Sequence, residues 1–203
     1  MGLVGASRTL AIALGAAAVL TLGGFGYRYG VRDHLLARNF DVVEAGKVYR
    51  SGRLTPATTE QVVRASGIKT IVDLGAFAGD TVDHRVAEQT AAALGVKRFQ
   101  FALQGDGTGD PQMYVDALKI IADPANQPVL VHCAAGSERT SVCVMLYRKA
   151  FEGKGYDETY PEAIAHKHRP QSNPELRKYI DRWGDAIIAA VKTGKPLDQS
   201  AQK

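Results

Sequence analysis

The sequence predicts an α/β fold: a central, mainly parallel sheet flanked by helices. Three observations carry this reading. Beyond residue 38, short apolar and β-branched runs alternate with longer segments whose apolar residues recur at helical spacing, the order that yields parallel strands joined by helices. Val129-Leu130-Val131 is apolar without interruption, as in a strand buried on both faces. Gly67, Gly95 and Gly194 each stand just past a helical pattern, where a left-handed residue ends a helix.

The elements follow in order. Val48 to Arg50 reads as a short strand, and Pro56 to Ala65 as a helix closed by Gly67. Lys69 to Leu74 is a strand. Val82, Val86, Thr90, Ala93 and Leu94 recur at helical spacing up to Gly95. Arg98 to Leu103 is expected as a strand with Phe99, Phe101 and Leu103 alternating, and Asp110-Pro111 as a helix start with Met113, Ala117, Leu118 and Ile121 on one face. Pro128 to His132 is the central strand. Ser141 to Phe151 is a helix buried mostly on one side. Asn173-Pro174 opens a final helix carrying Leu176, Ile180, Trp183, Ile187 and Val191, with a solvated tail after Gly194.

The 203 residues accommodate one domain and an appendage: residues 1–38, a domain over 39–193, and a tail over 194–203. The formal charge of +4 does not describe a nucleic-acid surface. Four of the 25 basic residues and one of the 21 acidic ones fall in residues 1–38, which leaves 21 basic and 20 acidic groups for the other 165. No nucleic-acid partner is expected.

Thr9 to Tyr27 is a separate object: 19 residues without a charge. At about 1.5 Å per residue they nearly cross a hydrocarbon layer of about 30 Å. Tyr27 and Tyr29 suit the interface, and Arg28 and Arg32 the headgroups. A single-span membrane anchor is expected, with a cleaved signal as the alternative. Flanking charge does not decide which side holds the domain, and a cleaved signal would make it periplasmic.

Chemistry concentrates in His132-Cys133-Ala134-Ala135-Gly136-Ser137-Glu138-Arg139-Thr140. A cysteine followed six positions later by arginine, after a buried strand and before a helix, makes a pocket for a doubly charged oxyanion. The loop can curl so that successive N–H groups converge, the helix N-terminus adds partial positive charge, and the guanidinium supplies a planar fork of donors. Helix N-termini and nearby cations bring thiol pKa values from about 8.5 to roughly 3.5–7.5, which favours the nucleophilic thiolate. The two cysteines, Cys133 and Cys143, form no disulfide or zinc pattern, and Cys143 reads as a small core residue.

His-Cys-x5-Arg-Thr, with Gly136 third after the cysteine, resembles the active-site loop of cysteine-dependent protein tyrosine phosphatases, most of all the compact dual-specificity branch. Val48-Tyr49-Arg50-Ser51-Gly52, then Gly67-Ile68-Lys69-Thr70-Ile71-Val72-Asp73-Leu74, is similar to the opening of many small bacterial members, and the resemblance spans roughly residues 39 to 185. It implies a protein tyrosine phosphatase-like fold and a metal- and cofactor-independent phosphatase that acts on phosphotyrosine in proteins, and on phosphoserine or phosphothreonine as a dual-specificity extension. It implies Cys133 as nucleophile through a phosphocysteine intermediate and Arg139 as the phosphate-binding fork. Thr140 is expected to donate its hydroxyl to the Cys133 sulfur, or to satisfy a backbone donor at the helix start. His132 is expected to orient the loop. The substrate-binding set is Ala134, Ala135, Gly136, Ser137, Glu138 and Arg139, mainly through amides.

The general acid is expected in Gln104-Gly105-Asp106-Gly107-Thr108-Gly109-Asp110. Asp106 lies 27 residues before Cys133, a spacing seen in similar small phosphatases, while Asp110 before Pro111 reads as a helix cap. Arg50 and Asp73 are expected to be structural. Two departures stand out: Ser141 where many members have glycine, and the acidic Glu138 beside the phosphate site. The loop holds no lysine, which argues against highly charged inositol phosphates. A phosphoinositide or inositol phosphatase of the same mechanism, or a phosphotyrosine-binding pseudophosphatase, remain the alternatives. Threonine after Arg139 and the upstream segments favour phosphatase over sulfur transfer or arsenate reduction.

Overall fold

The computed structural model describes residues 35–77, 79 and 81–197. The expected span over 9–27 lies outside them. Among the described residues no helix is long and apolar enough to cross a membrane. The described residues from Ala37 onward belong to one compact unit.

A five-stranded sheet runs β1-β2-β5-β3-β4, from β1 (Asp41–Glu44), β2 (Val48–Ser51), β3 (Thr70–Asp73), β4 (Lys97–Gln100) and β5 (Val129–His132). β1 pairs antiparallel with β2; the other three pairings are parallel. The central position of β5 follows from its sequence, since Val129 and Val131 face one core and Leu130 the other. Six α-helices connect and cover the sheet among the described residues: α1 (Pro56–Ser66), α2 (Val82–Ala93), α3 (Pro111–Ala122), α4 (Glu138–Tyr147), α5 (Tyr156–Ala165) and α6 (Glu175–Thr193). The α1 and α2 side buries Val62, Val63 and Ala91 against Ile71 and Leu130. On the other side α3, α4 and α6 bury Leu118, Met145 and Ile187 with Val72 and Val131.

Local chemistry accounts for several boundaries. Thr55 and Thr58 form a reciprocal capping box at the start of α1, and Gly67 ends the helix at φ 64°. Asp110 caps α3, its carboxylate accepting from the Gln112 N–H at 2.9 Å.

The structure departs from the sequence reading in five places. β4 stops at Gln100 because its only partner in the sheet, β3, ends at Asp73; Phe99 is exposed and Leu103 lies in irregular chain. α4 begins at Glu138, not Ser141, so Glu138, Arg139 and Thr140 occupy its first turn. Its burial is complete from Arg139 to Tyr147 instead of one-sided, since sheet, α3, α5 and α6 enclose it, and it passes at Arg148 into a π-type turn ending at Glu152. β1 and α5 had no sequence forecast: β1 alternates too little, and Pro161 inside α5 masks its helical pattern. Finally, the chain after Gly194 is not wholly solvated, for Leu197 is buried and its N–H donates to the Gln112 side chain at 2.8 Å.

Candidate active site

The loop 133–138 leaves the carboxyl end of β5 between β2 and β3, the place where open α/β sheets bind ligands. Cys133 is buried there, and its Sγ accepts from the Gly136 N–H at 3.3 Å. Gly136 sits at φ 73°, and an added Cβ would come within 2.5 Å of Gly52 N and 2.7 Å of Ser51 C, so both conformation and space demand glycine. Gly52 likewise leaves no room against the Ala135 carbonyl, at 2.9 Å. The segment after β2 thus forms one wall of the loop, and the Arg53 N–H donates to the Ala134 carbonyl at 3.1 Å.

Arg139 is buried in the first turn of α4. Its Nη1 donates to the carbonyls of Gly75 and Leu103, while its buried Nε has no hydrogen-bond partner. The Gly75 carbonyl is itself held. Asp73, fully buried at the end of β3, accepts from the Ala76 N–H at 2.6 Å and from Arg98 Nη2 at 2.5 Å, which fixes the turn between them. Asp73 is structural, as expected, but it acts directly behind the guanidinium.

Arg50 is fully buried under the loop. Its Nη2 donates to the Gly136 carbonyl at 3.1 Å and to Ser141 Oγ at 2.9 Å, and its Nη1 lies 3.6 Å from Glu162. Burial lowers its pKa to about 10, with Glu162 opposing. Asn39 Nδ2 donates to the same Gly136 carbonyl at 2.9 Å, a contact with no signal in the sequence.

Glu138 turns to His168, whose Nδ1 lies 2.6 Å from its carboxylate; His168 Nε2 in turn meets the Tyr160 hydroxyl at 2.9 Å. The negative side chain noted as a departure is therefore committed to α5 and the turn after it. His168 and Tyr160 escaped the sequence reading because they lie 30 and 22 positions after Glu138 with no motif around them.

His132 is buried with Nδ1 unpartnered, and its pKa is lowered by burial, with Asp73 opposing. Thr140 Oγ1 is buried and has no hydrogen-bond partner, so neither the expected donation to Cys133 nor a backbone cap is made. Ala134, Ala135 and Ser137 complete the loop, and Ser137 stands at the N-cap of α4 without a side-chain cap bond. Cys143 lies fully buried in α4, its thiol pushed up to about 12 by burial, which suits the inert core reading.

The segment expected to hold the acid folds as a tight turn: Gly107 N–H donates to the Gln104 carbonyl at 3.1 Å, and Gln104 N–H to the Thr108 carbonyl at 3.0 Å. Asp106 Oδ1 accepts from both Thr108 N–H, at 2.9 Å, and Thr108 Oγ1, at 2.7 Å. Gly107 packs on the first turns of α4, where an added Cβ would lie 3.1 Å from Val142 and 3.6 Å from the Glu138 backbone. The Asp106 turn therefore borders the Cys133 loop, whereas Asp110 is engaged as the cap of α3. Among the described residues there is no cluster of three or more His, Cys, Asp or Glu side chains placed to hold a metal ion.

Residues 35–178 match a family model described as a DSP-PTPase phosphatase fused to NAD+ kinase. Inositol diphosphatase DSP3 of Arabidopsis thaliana is 30% identical over 115 residues, 55% of this chain and 54% of that protein, so the chain spans about half the length of this relative. The catalytic core of the PP-IP phosphatase SIW14 from S. cerevisiae superposes with a TM-score of 0.61 at 23% identity, covering 78% of this chain and 94% of that one. TpbA from P. aeruginosa, solved in complex with pTyr, gives 0.61 at 18% identity, covering 77% and 91%. At such identities the two structures speak for the fold.

Proposed function

This chain belongs to that DSP-PTPase phosphatase family and is a cysteine-based phosphatase; from that premise we propose that its substrate is phosphotyrosine in a protein, with phosphoserine and phosphothreonine as further substrates. The observation that carries the substrate class is the charge of the loop. Between Cys133 and Arg139 no side chain is cationic, and the one charged group, Glu138, is already paired with His168. One guanidinium and a ring of amides suit a single phosphate ester. A substrate bearing several phosphates needs further cations at the pocket.

In the proposed reaction the Cys133 sulfur attacks phosphorus, and the S–P bond forms as the P–O bond to tyrosine breaks. Asp106 gives its carboxyl proton to the departing phenolate oxygen. Arg139 and the loop amides hold the three non-bridging oxygens through the charge-rich transition state. Water then attacks the phosphocysteine and passes a proton to Asp106. The S–P bond breaks, releasing phosphate and the thiolate, to which the Gly136 N–H donates. His132 orients the loop from the end of β5.

The test compares hydrolysis of a phosphotyrosine peptide and an inositol pyrophosphate by the full chain, with Cys133→Ser as control. The peptide is expected to turn over faster. Cys133→Ser is expected to lose on the order of 10⁴-fold or more, the usual cost of removing a covalent nucleophile. The reverse substrate order would reject phosphotyrosine and leave the compound class named in the relatives. Equal turnover by Cys133→Ser would reject the nucleophile.

A further inference from the structure

Two tyrosines from different helices bind the Asp106 turn. The Tyr114 hydroxyl, on α3, donates to the Gly107 carbonyl at 2.8 Å. The Tyr179 hydroxyl, on α6, donates to the Gly109 carbonyl at 3.2 Å. The two rings pack together with centroids 5.6 Å apart. Gly107 and Gly109 have φ of 94° and 136°, a backbone path that needs glycine and that brings both carbonyls onto the tyrosines. Thr108, between them, is the residue whose N–H and hydroxyl both donate to Asp106 Oδ1. The chain of contacts therefore runs from two helices, through two carbonyls, to the threonine that holds the carboxylate.

Packing alone does not explain the hydroxyls. Tyr114 is fully buried in the core, where phenylalanine would fill nearly the same space without the cost of a buried polar group. Burial pushes both phenols well above their ordinary value, so each remains a protonated donor at any working pH.

We propose that Tyr114 and Tyr179 are positioning residues for proton transfer, clamping the Gly107 and Gly109 carbonyls so that Asp106 meets the leaving-group oxygen. The clamp rests on the reading of Asp106 as general acid. A misplacement of about 1 Å is enough to cost on the order of 10²-fold in such a step.

The experiment measures kcat and KM of the full chain on aryl phosphates whose leaving phenols differ in acidity, from phenyl phosphate to 2,4-dinitrophenyl phosphate. Tyr114→Phe and Tyr179→Phe are each expected to lower kcat for phenyl phosphate by about tenfold, a fraction of the 10²–10⁴ that general acid catalysis supplies. Both should leave kcat for the dinitrophenyl ester, and KM for both esters, within about twofold on the same grounds. In an Asp106→Asn background the same substitutions should cost nothing further, since residues acting through one group are non-additive. An equal loss across leaving groups, or a loss that persists in the Asp106→Asn background, would overturn the clamp and leave the acid assignment standing. If Asp106→Asn itself shows no dependence on the leaving group, the acid assignment falls and the clamp with it. Tyr179→Phe, at the rim of the core, tests the idea should Tyr114→Phe fail to fold.

Discussion

Arg50 Nη2 donates to Ser141 Oγ at 2.9 Å, across 91 residues of sequence. The same nitrogen holds the Gly136 carbonyl, so a buried cation beneath the sheet end ties the phosphate loop to the helix that follows it. Serine where the resembling family often has glycine is thus a partner for Arg50 and not a packing defect. Glu162 is shared with Arg148, which places it 2.5 Å from Arg148 Nε, so Arg50 has only a long contact with its nearest carboxylate and depends on neutral acceptors.

Ser141→Ala is expected to destabilise the fold by about 1.5–3 kcal/mol, the range for a hydrogen bond to a charged group. Urea unfolding would show it as a lower midpoint at unchanged slope. A midpoint equal to that of the wild type would mean that Arg50 finds another acceptor at no cost.

Gly136→Ala combines a left-handed φ with an approach of 2.5 Å to Gly52 N. The conformation alone costs roughly 1–2 kcal/mol. The backbone contact cannot be relieved by a side-chain rotation, so the loop must shift away from Cys133. Both a lower thermal midpoint and loss of vanadate binding are expected; retention of vanadate affinity would show that the loop tolerates the shift.

His168→Asn would leave the Glu138 carboxylate without its 2.6 Å partner at the edge of an anion site. KM for a phosphate ester is expected to rise by about tenfold, equivalent to roughly 1.4 kcal/mol. Adding Glu138→Gln should restore most of it, because the repulsion goes with the charge. If the double variant is no better than His168→Asn, the pair matters for packing and not for the field at the phosphate.

Stability should fall with acid. Burial holds His132 below the ordinary histidine value against the pull of Asp73, and His166 is lowered by burial and by Arg50, with Asp41 and Glu162 opposing. Below about 6.5 the unfolded chain therefore binds more protons than the folded one. Stability is full above that value and is lost as the pH drops from there through the depressed folded values. Urea midpoints measured between about pH 7.5 and 5 would follow this fall. A midpoint that rises on acidification would contradict it.

Much of the site was legible because it is local. Cysteine, glycine, arginine and threonine sit within eight residues, and a buried strand before them with a helix after them dictates a curled loop of amides. Capping explains why Asp110 could be separated from Asp106 by sequence alone: a proline at the next position declares a helix start. The strand expected over 98–103 ends at Gln100 instead, since alternation records which faces are apolar but not where a neighbouring strand stops. Thr140 shows the same limit at the scale of one side chain: its place in the motif implied a hydrogen bond, and its buried hydroxyl makes none.

The sequence by itself determined the parallel core and the curled loop between β5 and α4, because strand burial, glycine conformation and helix polarity act over a few neighbouring residues. Tertiary structure alone decided what supports that loop: Arg50 and Asn39 beneath Gly136, Asp73 behind Arg139, His168 against Glu138, and two tyrosines on the Asp106 turn. Apart from Tyr114, seven residues from Gly107, those partners lie 30 to 97 positions away. The need of each buried polar group for a partner is a property of its own chemistry, but the identity of that partner is chosen by which chains the fold brings within about 3 Å.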